Sequence, residues 1–306
     1  MNAERADARR GLWLGLLGVA MFSVTLPMTR LAVGTPEAPQ LSGVFVALSR
    51  AVGAAALSAL YLTWVRAPWP ARQDWPALAM VAVGVVLGFP LLTSVALRHV
   101  EAVHASVVLG LMPLVTAAAG AVLQRQRPPL AFWGCAGLGS ALVVSYALLR
   151  PGTADLSLHP ADGLLVLAVV CASLGYAWGA RLATRMPPAQ VICWALLLSL
   201  PLTLPGAWLS WPEQPVADSA WAALTYLAVF SMWLGFFAWY RGLVLGGTVR
   251  VSQVQLLQPF MSMVVAVPLL GERIDALTLG FAAAVLGTVL LGRRLAGRTP
   301  STASGS

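Results

Sequence analysis

Of the 306 residues, the one whose type and place most demand a chemical reason is Arg50, a lone guanidinium about 10 Å inside an apolar run when reckoned at helical rise. A charge at that depth is costly in an apolar medium. Two roles would justify it: an anchor for a substrate carboxylate or a gate partner, or a structural side chain that snorkels outward or binds helix-end carbonyls. Ser252, Gln255, Gln258 and Ser262 form a second chemical feature, because steps of three, three and four gather them on one face of a helix. Gln258 lies about 14 Å along its run from Val249, where an amide facing lipid is costly. It either faces a binding site or joins helices through interhelical hydrogen bonds. Pro259 beside it frees a carbonyl for a ligand.

Other chemistries are poorly supplied. His99, Glu101 and His104 do not have the two-histidine spacing of a zinc helix. His104 reads instead as a polar group at a helix entry that titrates near neutral pH. No Asp or Glu lies deep in any apolar run, so coupling, if it uses protons, falls to Glu101, His104, Glu272 or an aqueous group near the mouth. No nucleophile–base constellation is present, which excludes an enzyme, and neither a cofactor nor a metal is implied. Cys135, Cys171 and Cys193 lie in apolar runs without C-x-x-C spacing and read as small packing residues.

The elements that position these groups follow from composition. With 59% hydrophobic and 10% charged residues, the chain must be solvated by lipid, since a soluble domain keeps about a quarter of its residues charged. The net charge of +8 resides in scattered arginines rather than one basic face, so nucleic acid is not a partner. Ten runs suit a bilayer crossing: Gly11–Val33, Val44–Val65, Trp75–Leu97, Ala102–Leu123, Leu130–Leu149, Gly163–Ala183, Ala189–Leu209, Ala220–Tyr240, Val249–Leu270 and Leu277–Leu291. Fourteen arginines fall on the side that holds both termini; Arg30, Arg98, Arg150 and Arg273 fall on the other. Cytoplasmic termini are therefore expected. Trp13, Trp64, Trp69, Trp75, Trp211 and Trp221 sit near run ends as an interfacial belt.

The chain also repeats itself. Ala105–Pro113 aligns with Val251–Pro259 at a spacing of 146 positions, which also pairs Gly134 with Gly280. Two halves of five spans follow, and because five is odd the second enters the membrane inverted. The counterpart of the Ser252–Ser262 stripe is then Ser106, Leu109, Met112 and Thr116, apolar where the other is polar. That asymmetry suits a substrate with one polar and one apolar face. Pro27, Pro90, Pro113, Pro201, Pro205, Pro259 and Pro268 lie within spans and suit bending gates, or are simply tolerated there. Gly11/Gly15, Gly84/Gly88 and Gly175/Gly179 are small-xxx-small pairs that permit close helix packing.

The segments Tyr226–Phe230, Trp239-Tyr240, Arg250–Ser252, Gln258-Pro259, Leu270–Glu272 and Gly280 resemble the second EamA repeat of the drug/metabolite transporter superfamily. The first repeat is similar in Leu48–Arg50, Ala96-Leu97, Pro113 and Gly134, although Gln126 stands where the repeat often has Gly-Glu. The resemblance covers nearly the whole chain. It implies an all-α integral membrane protein of ten helices as two inverted five-helix repeats. Helices 1, 3, 4, 6, 8 and 9 line a central cavity in such carriers, with 5 and 10 peripheral. Tyr176, Trp178, Trp233, Trp239 and Tyr240 lie on helices 6 and 8, so they stack on a substrate or pack against neighbouring helices.

The expected organisation is a cytoplasmic N-terminus over 1–10, repeats over 11–150 and 151–293, and a disordered cytoplasmic tail over 294–306. The expected function is a secondary transporter of the bacterial inner membrane, outward-directed by the resemblance, for a small amphiphilic metabolite such as an amino acid, nucleobase or quaternary amine. Gln255, Gln258, Ser252, Tyr176, Trp178, Trp239 and Arg50 are its candidate substrate groups, and His104, Pro113 and Pro259 its coupling and gating groups. The partners are the solute and the bilayer, with the chain a monomer or homodimer. The alternative is a non-transporting lipid-handling or sensory protein.

Overall fold

The computed structural model describes residues 2–34, 38–97, 105, 108–149, 160–270 and 276–296. The chain is helical because a spanning segment in lipid must satisfy its own backbone hydrogen bonds. Helix α1 comprises Asn2–Ser23 and, after a turn at Val24, Thr25–Val33; α2 is Gly43–Trp64, with Ser42 capping Phe45 N at 3.1 Å. Helix α3 runs Trp75–Val81, Ala82–Gly88 and Phe89–Ala96, and α4 includes helical Ala105, Val108 and Leu109 and the segment Met112–Leu123. Then come α5 (Leu130–Leu149), α6 (Pro160–Leu182) and α7 (Pro188–Leu209). Helix α8 runs Asp218–Tyr226, Leu227–Leu234 and Gly235–Gly246; α9 runs Thr248–Val251, Ser252–Leu257 and Gln258–Leu270; α10 is Ala276–Ala296. Between α8 and α9 the chain turns at Gly247, whose φ of 82° lies in the region glycine tolerates best. The first helix starts earlier than the span Gly11–Val33, because the polar residues before Gly11 continue its turns beyond the apolar run.

Helix packing repeats the sequence duplication. Helix α1 packs on α8 and α3 on α6, while α2 meets α7, α4 meets α9 and α5 meets α10. Exchanging each helix for the one five places on maps this set onto itself. The fold is thus two five-helix halves, inverted with respect to each other, with α5 and α10 paired at one edge.

Close contact between the halves depends on small residues. A Cβ at Gly11 would stand 2.3 Å from Gly246 N, and one at Gly242 would stand 2.7 Å from Gly15 N, so α1 and α8 touch backbone to backbone. The related pair is equally tight: a Cβ at Gly84 on α3 would lie 2.4 Å from the Cys171 carbonyl on α6. Outward positions are apolar, with Trp64, Leu130, Trp208 and Leu209 all more than three-quarters exposed, as a surface solvated by lipid requires. Of the expected tryptophan belt, Trp13, Trp64, Trp69 and Trp211 are exposed; Trp75 and Trp221 are half-buried, and the Trp221 ring closes edge-on over Phe45 at 5.9 Å.

Irregular turns come in symmetric pairs. Helices α3 and α8 each contain a π-helical stretch, Ala82–Gly88 and Leu227–Leu234, at nearly the same 146-residue spacing as the sequence repeat. Helix α4 is broken by a turn at Gly110-Leu111 between helical Val108-Leu109 and Met112–Leu123, and α9 passes through a 3-10 stretch at Ser252–Leu257. Pro113 and Pro259 open the α-helical segments that follow, where a missing N–H costs least. Both interrupted pairs border the interior described next.

Candidate functional site

Two small adjoining cavities lie between the halves. One is bounded by Arg50, Tyr176, Ser231, Thr25, Gln258 and apolar neighbours that include Phe22, Phe89 and Phe236. The other is bounded by Gln255, Gln258, Pro259 and Ser262 opposite Leu109 and Met112. They share Leu26, Leu109, Met112 and Gln258 and so form one chamber with two lobes. Each lobe has a volume of about 30 Å³, room for a water or two. Both repeats contribute to both lobes.

The first lobe is organised by Arg50. The residue is 4% exposed, so its side chain does not snorkel to the surface; Nη2 donates to Ser231 Oγ at 3.1 Å. Ser231 Oγ in turn lies 2.8 Å from Thr25 Oγ1, which links α2, α8 and α1. Nε of Arg50 is buried without a partner among the described residues. A guanidinium carries five N–H donors, and a buried donor left unpaired costs about 1–3 kcal/mol or more. The site is therefore under-satisfied on the side of the positive charge.

The second lobe is organised by α9. Its 3-10 stretch has a period of three residues, so Ser252, Gln255 and Gln258 fall almost directly above one another. Gln255 and Gln258 reach the chamber. Among the described residues, Gln255 Nε2 has only a weak acceptor, Met112 Sδ at 3.5 Å, and its Oε1 is buried without a partner. Ser262 donates to the Ser23 carbonyl on α1, while Ser252 turns back to its own helix and donates to the Val249 carbonyl at 3.1 Å. Leu109 and Met112, the repeat counterparts of Gln255 and Gln258, form the facing apolar wall. Thr116, next on that stripe, leaves it to donate to Ser173 Oγ at 3.1 Å on α6.

The candidate residues thus divide. Arg50, Tyr176, Gln255, Gln258 and Pro259 meet at the chamber; Ser252 lies buried behind it. Trp178 stands apart with the Arg181 guanidinium 5.4 Å from its ring centre, and Trp239 is fully buried behind Tyr176, edge-on to it at 5.5 Å. Trp239 also meets Phe22 at 6.2 Å, which makes it a packing residue for the aromatic wall. Trp233 meets Phe237 at 5.0 Å, and Tyr240 donates to the Gly175 carbonyl at 3.4 Å. Pro113 is buried at the start of the α4 segment beside the chamber. His104 lies outside the described residues, as do Glu101 and Glu272. Sequence reasoning missed Thr25 and Ser231, together with the rings of Phe22, Phe89 and Phe236. The available signal was the isolation of Ser231 in a long apolar run.

At the two ends of the bundle the halves are tied by different chemistry. Asp74, buried at the start of α3, accepts from Arg185 Nη1 at 3.0 Å in the α6–α7 turn. At the other end, Gln40 Oε1 accepts from Ala217 N at 2.9 Å, ahead of α8. The former tie is an ion pair and the latter a neutral hydrogen bond.

An inverted pair of five-helix halves around a partly polar chamber defines a membrane transporter rather than an enzyme. The EamA-like transporter family matches this chain over residues 9–147 and again over 159–293. The chain therefore belongs to the EamA-like transporter family. It is 41% identical over 287 residues to the uncharacterized transporter YdeK of Bacillus subtilis (strain 168), covering 93% of this chain and 97% of that one. It is 25% identical over 295 residues, 94% of this chain and 95% of the relative, to a protein of Streptantibioticus cattleyicolor described as a probable terminal-alkyne amino-acid exporter. Among solved structures, one crystal structure superposes with a TM-score of 0.75 at 20% identity, covering 94% of this chain and 98% of its own. That likeness concerns the fold alone.

Proposed function

We propose that the protein is a secondary transporter of the inner membrane that exports a small amphiphilic metabolite by alternating access to the chamber between its halves. The observation that carries this reading is the chamber itself. It is walled by both repeats and combines unpartnered polar atoms of Arg50 and Gln255 with the apolar Leu109, Met112 and phenyl rings. Its present volume of about 30 Å³ per lobe is far below the several hundred Å³ of an ordinary ligand site, so a solute enters only as the halves part. The breaks in α4 and α9 beside Pro113 and Pro259 give that movement places to bend. Direction is supported by the exporter name of the Streptantibioticus relative. Orientation is supported by the arginine bias, which leaves both termini cytoplasmic.

The candidate solutes are amino acids, nucleobases and quaternary amines. Residues of a single chain line both lobes, and the protein works as a monomer or a homodimer. If protons drive the cycle, His104 is the group we assign to coupling, with Glu272 dispensable. The test is a thermal-shift screen of purified protein against these solute classes, followed by counterflow of the best ligand in reconstituted vesicles. Solute-dependent counterflow is the expected result. Stabilisation without flux would instead favour a sensory protein.

A further inference from the structure

Among the described residues, neither lobe of the chamber is lined by an Asp or Glu, whereas one is lined by Arg50. The ion pair Arg185–Asp74 lies at one end of the bundle and does not reach Arg50. The guanidinium is met by neutral hydroxyls, with one hydrogen bond to Ser231 and a buried Nε left open. A buried charge is normally paired, and where the protein supplies no partner the unpaired donors favour an anion that does.

We infer that the transported solute is an organic acid, whose carboxylate is held by Arg50 and whose apolar body lies against Phe22, Phe89 and Phe236. The inference rests on the carrier reading and narrows it. A carboxylate matches the planar fork of a guanidinium and accepts two charge-assisted hydrogen bonds from it, one from the Nε that now has none. Ser231 holds one of the two Nη2 donors, which leaves the other for a ligand and tethers the side chain before one arrives. A cation fares differently. A quaternary amine in this lobe meets Arg50 at close range with no carboxylate to offset the repulsion, and rings alone do not supply one. Nucleobases, neutral at ordinary pH, leave the charge of Arg50 unbalanced. Gln255 adds a second condition, because its free Oε1 on the adjoining lobe rewards a hydrogen-bond donor on the solute.

The test compares probes of one shape and three charges: phenylacetate, phenylacetamide and 2-phenylethylammonium. Their binding to the purified full chain is measured by calorimetry in detergent. Phenylacetate is expected to bind at least roughly tenfold more tightly than the amide, the scale of a hydrogen bond to a charged group, and the ammonium more weakly still. Arg50→Gln should abolish the order, while Arg50→Lys and Ser231→Ala, which keep the charge, should preserve it with weaker binding. If Arg50→Gln fails to fold, the latter two variants carry the comparison. Equal binding of all three probes, a preference for the ammonium, or no binding of the carboxylate overturns the inference. Flux measurements keep the two readings apart. Anion-selective binding without flux would refute the carrier and leave the charge assignment standing, and flux of a cation would do the reverse.

Discussion

Gln255 contributes little to holding the fold, because among the described residues it pairs only with a thioether sulfur and leaves its oxygen open, and Gln258 lines the same chamber. Gln255→Leu and Gln258→Leu are therefore expected to melt within about 1 kcal/mol of wild type while losing solute binding. Melting curves and calorimetry on the same preparations check this, and a large drop in melting temperature would mark the amides as structural. The two candidate tryptophans should behave oppositely. Trp239 is fully buried between Phe22 and Tyr176, so Trp239→Ala should cost about 3–5 kcal/mol, whereas half-buried Trp178→Ala should cost far less. Arg50 and the glutamines were legible in the sequence because polar groups in apolar spans are rare, and Tyr176 was legible through the family resemblance that puts helix 6 at the cavity. Ser231 and Thr25 were not, since a hydroxyl in a helix usually bonds its own backbone, as Ser58 and Ser252 do here. The role of Trp239 was hidden for another reason: which face of α8 looks inward depends on the π-helical stretch just before it.

Helices α1 and α8 meet along glycines that leave no room for a side chain, so Gly11→Leu should destabilise the protein by about 1–3 kcal/mol, as overpacking does. Gly134→Ala is the control, because a Cβ there meets nothing within 4 Å. Thermal melts of the two variants decide the matter, and equal stability would contradict the close approach of α1 to α8. The ties at the bundle ends invite a milder test. Arg185 is about half exposed, so a double-mutant cycle of Asp74→Asn with Arg185→Gln should give a coupling of only about 1 kcal/mol or less. At this scale the sequence was partly transparent. Small-xxx-small spacing announced the close packing, and Pro113 and Pro259 announced the breaks in α4 and α9. No residue type announces a π-helical turn, and the pair in α3 and α8 emerged only from the coordinates. Gly134 and Gly280 show the converse case, a repeat signal that no packing contact explains.

The whole molecule was the most legible of all, because a duplicated motif and an odd number of spans per half already determine an inverted pair. Its shape does not reveal which face of the membrane is which; the arginine bias carries that proposal. Cysteines placed at Glu213 should react with an impermeant thiol reagent from outside cells, and ones at Gln73 and Gln126 should not, in a background lacking Cys135, Cys171 and Cys193. Reverse labelling would invert the orientation, and a mixed pattern would be incompatible with ten spans. The central claim is that a single chamber between the halves opens to each face in turn. Met112 borders both lobes and its side chain is buried in the present conformation, so Met112→Cys in that same background reports on the chamber directly. In sealed vesicles of one orientation, the impermeant reagent is expected to label this cysteine when applied from either face, with labelling slowed by a bound solute. Labelling from one face only, or from neither, would contradict alternating access through this chamber.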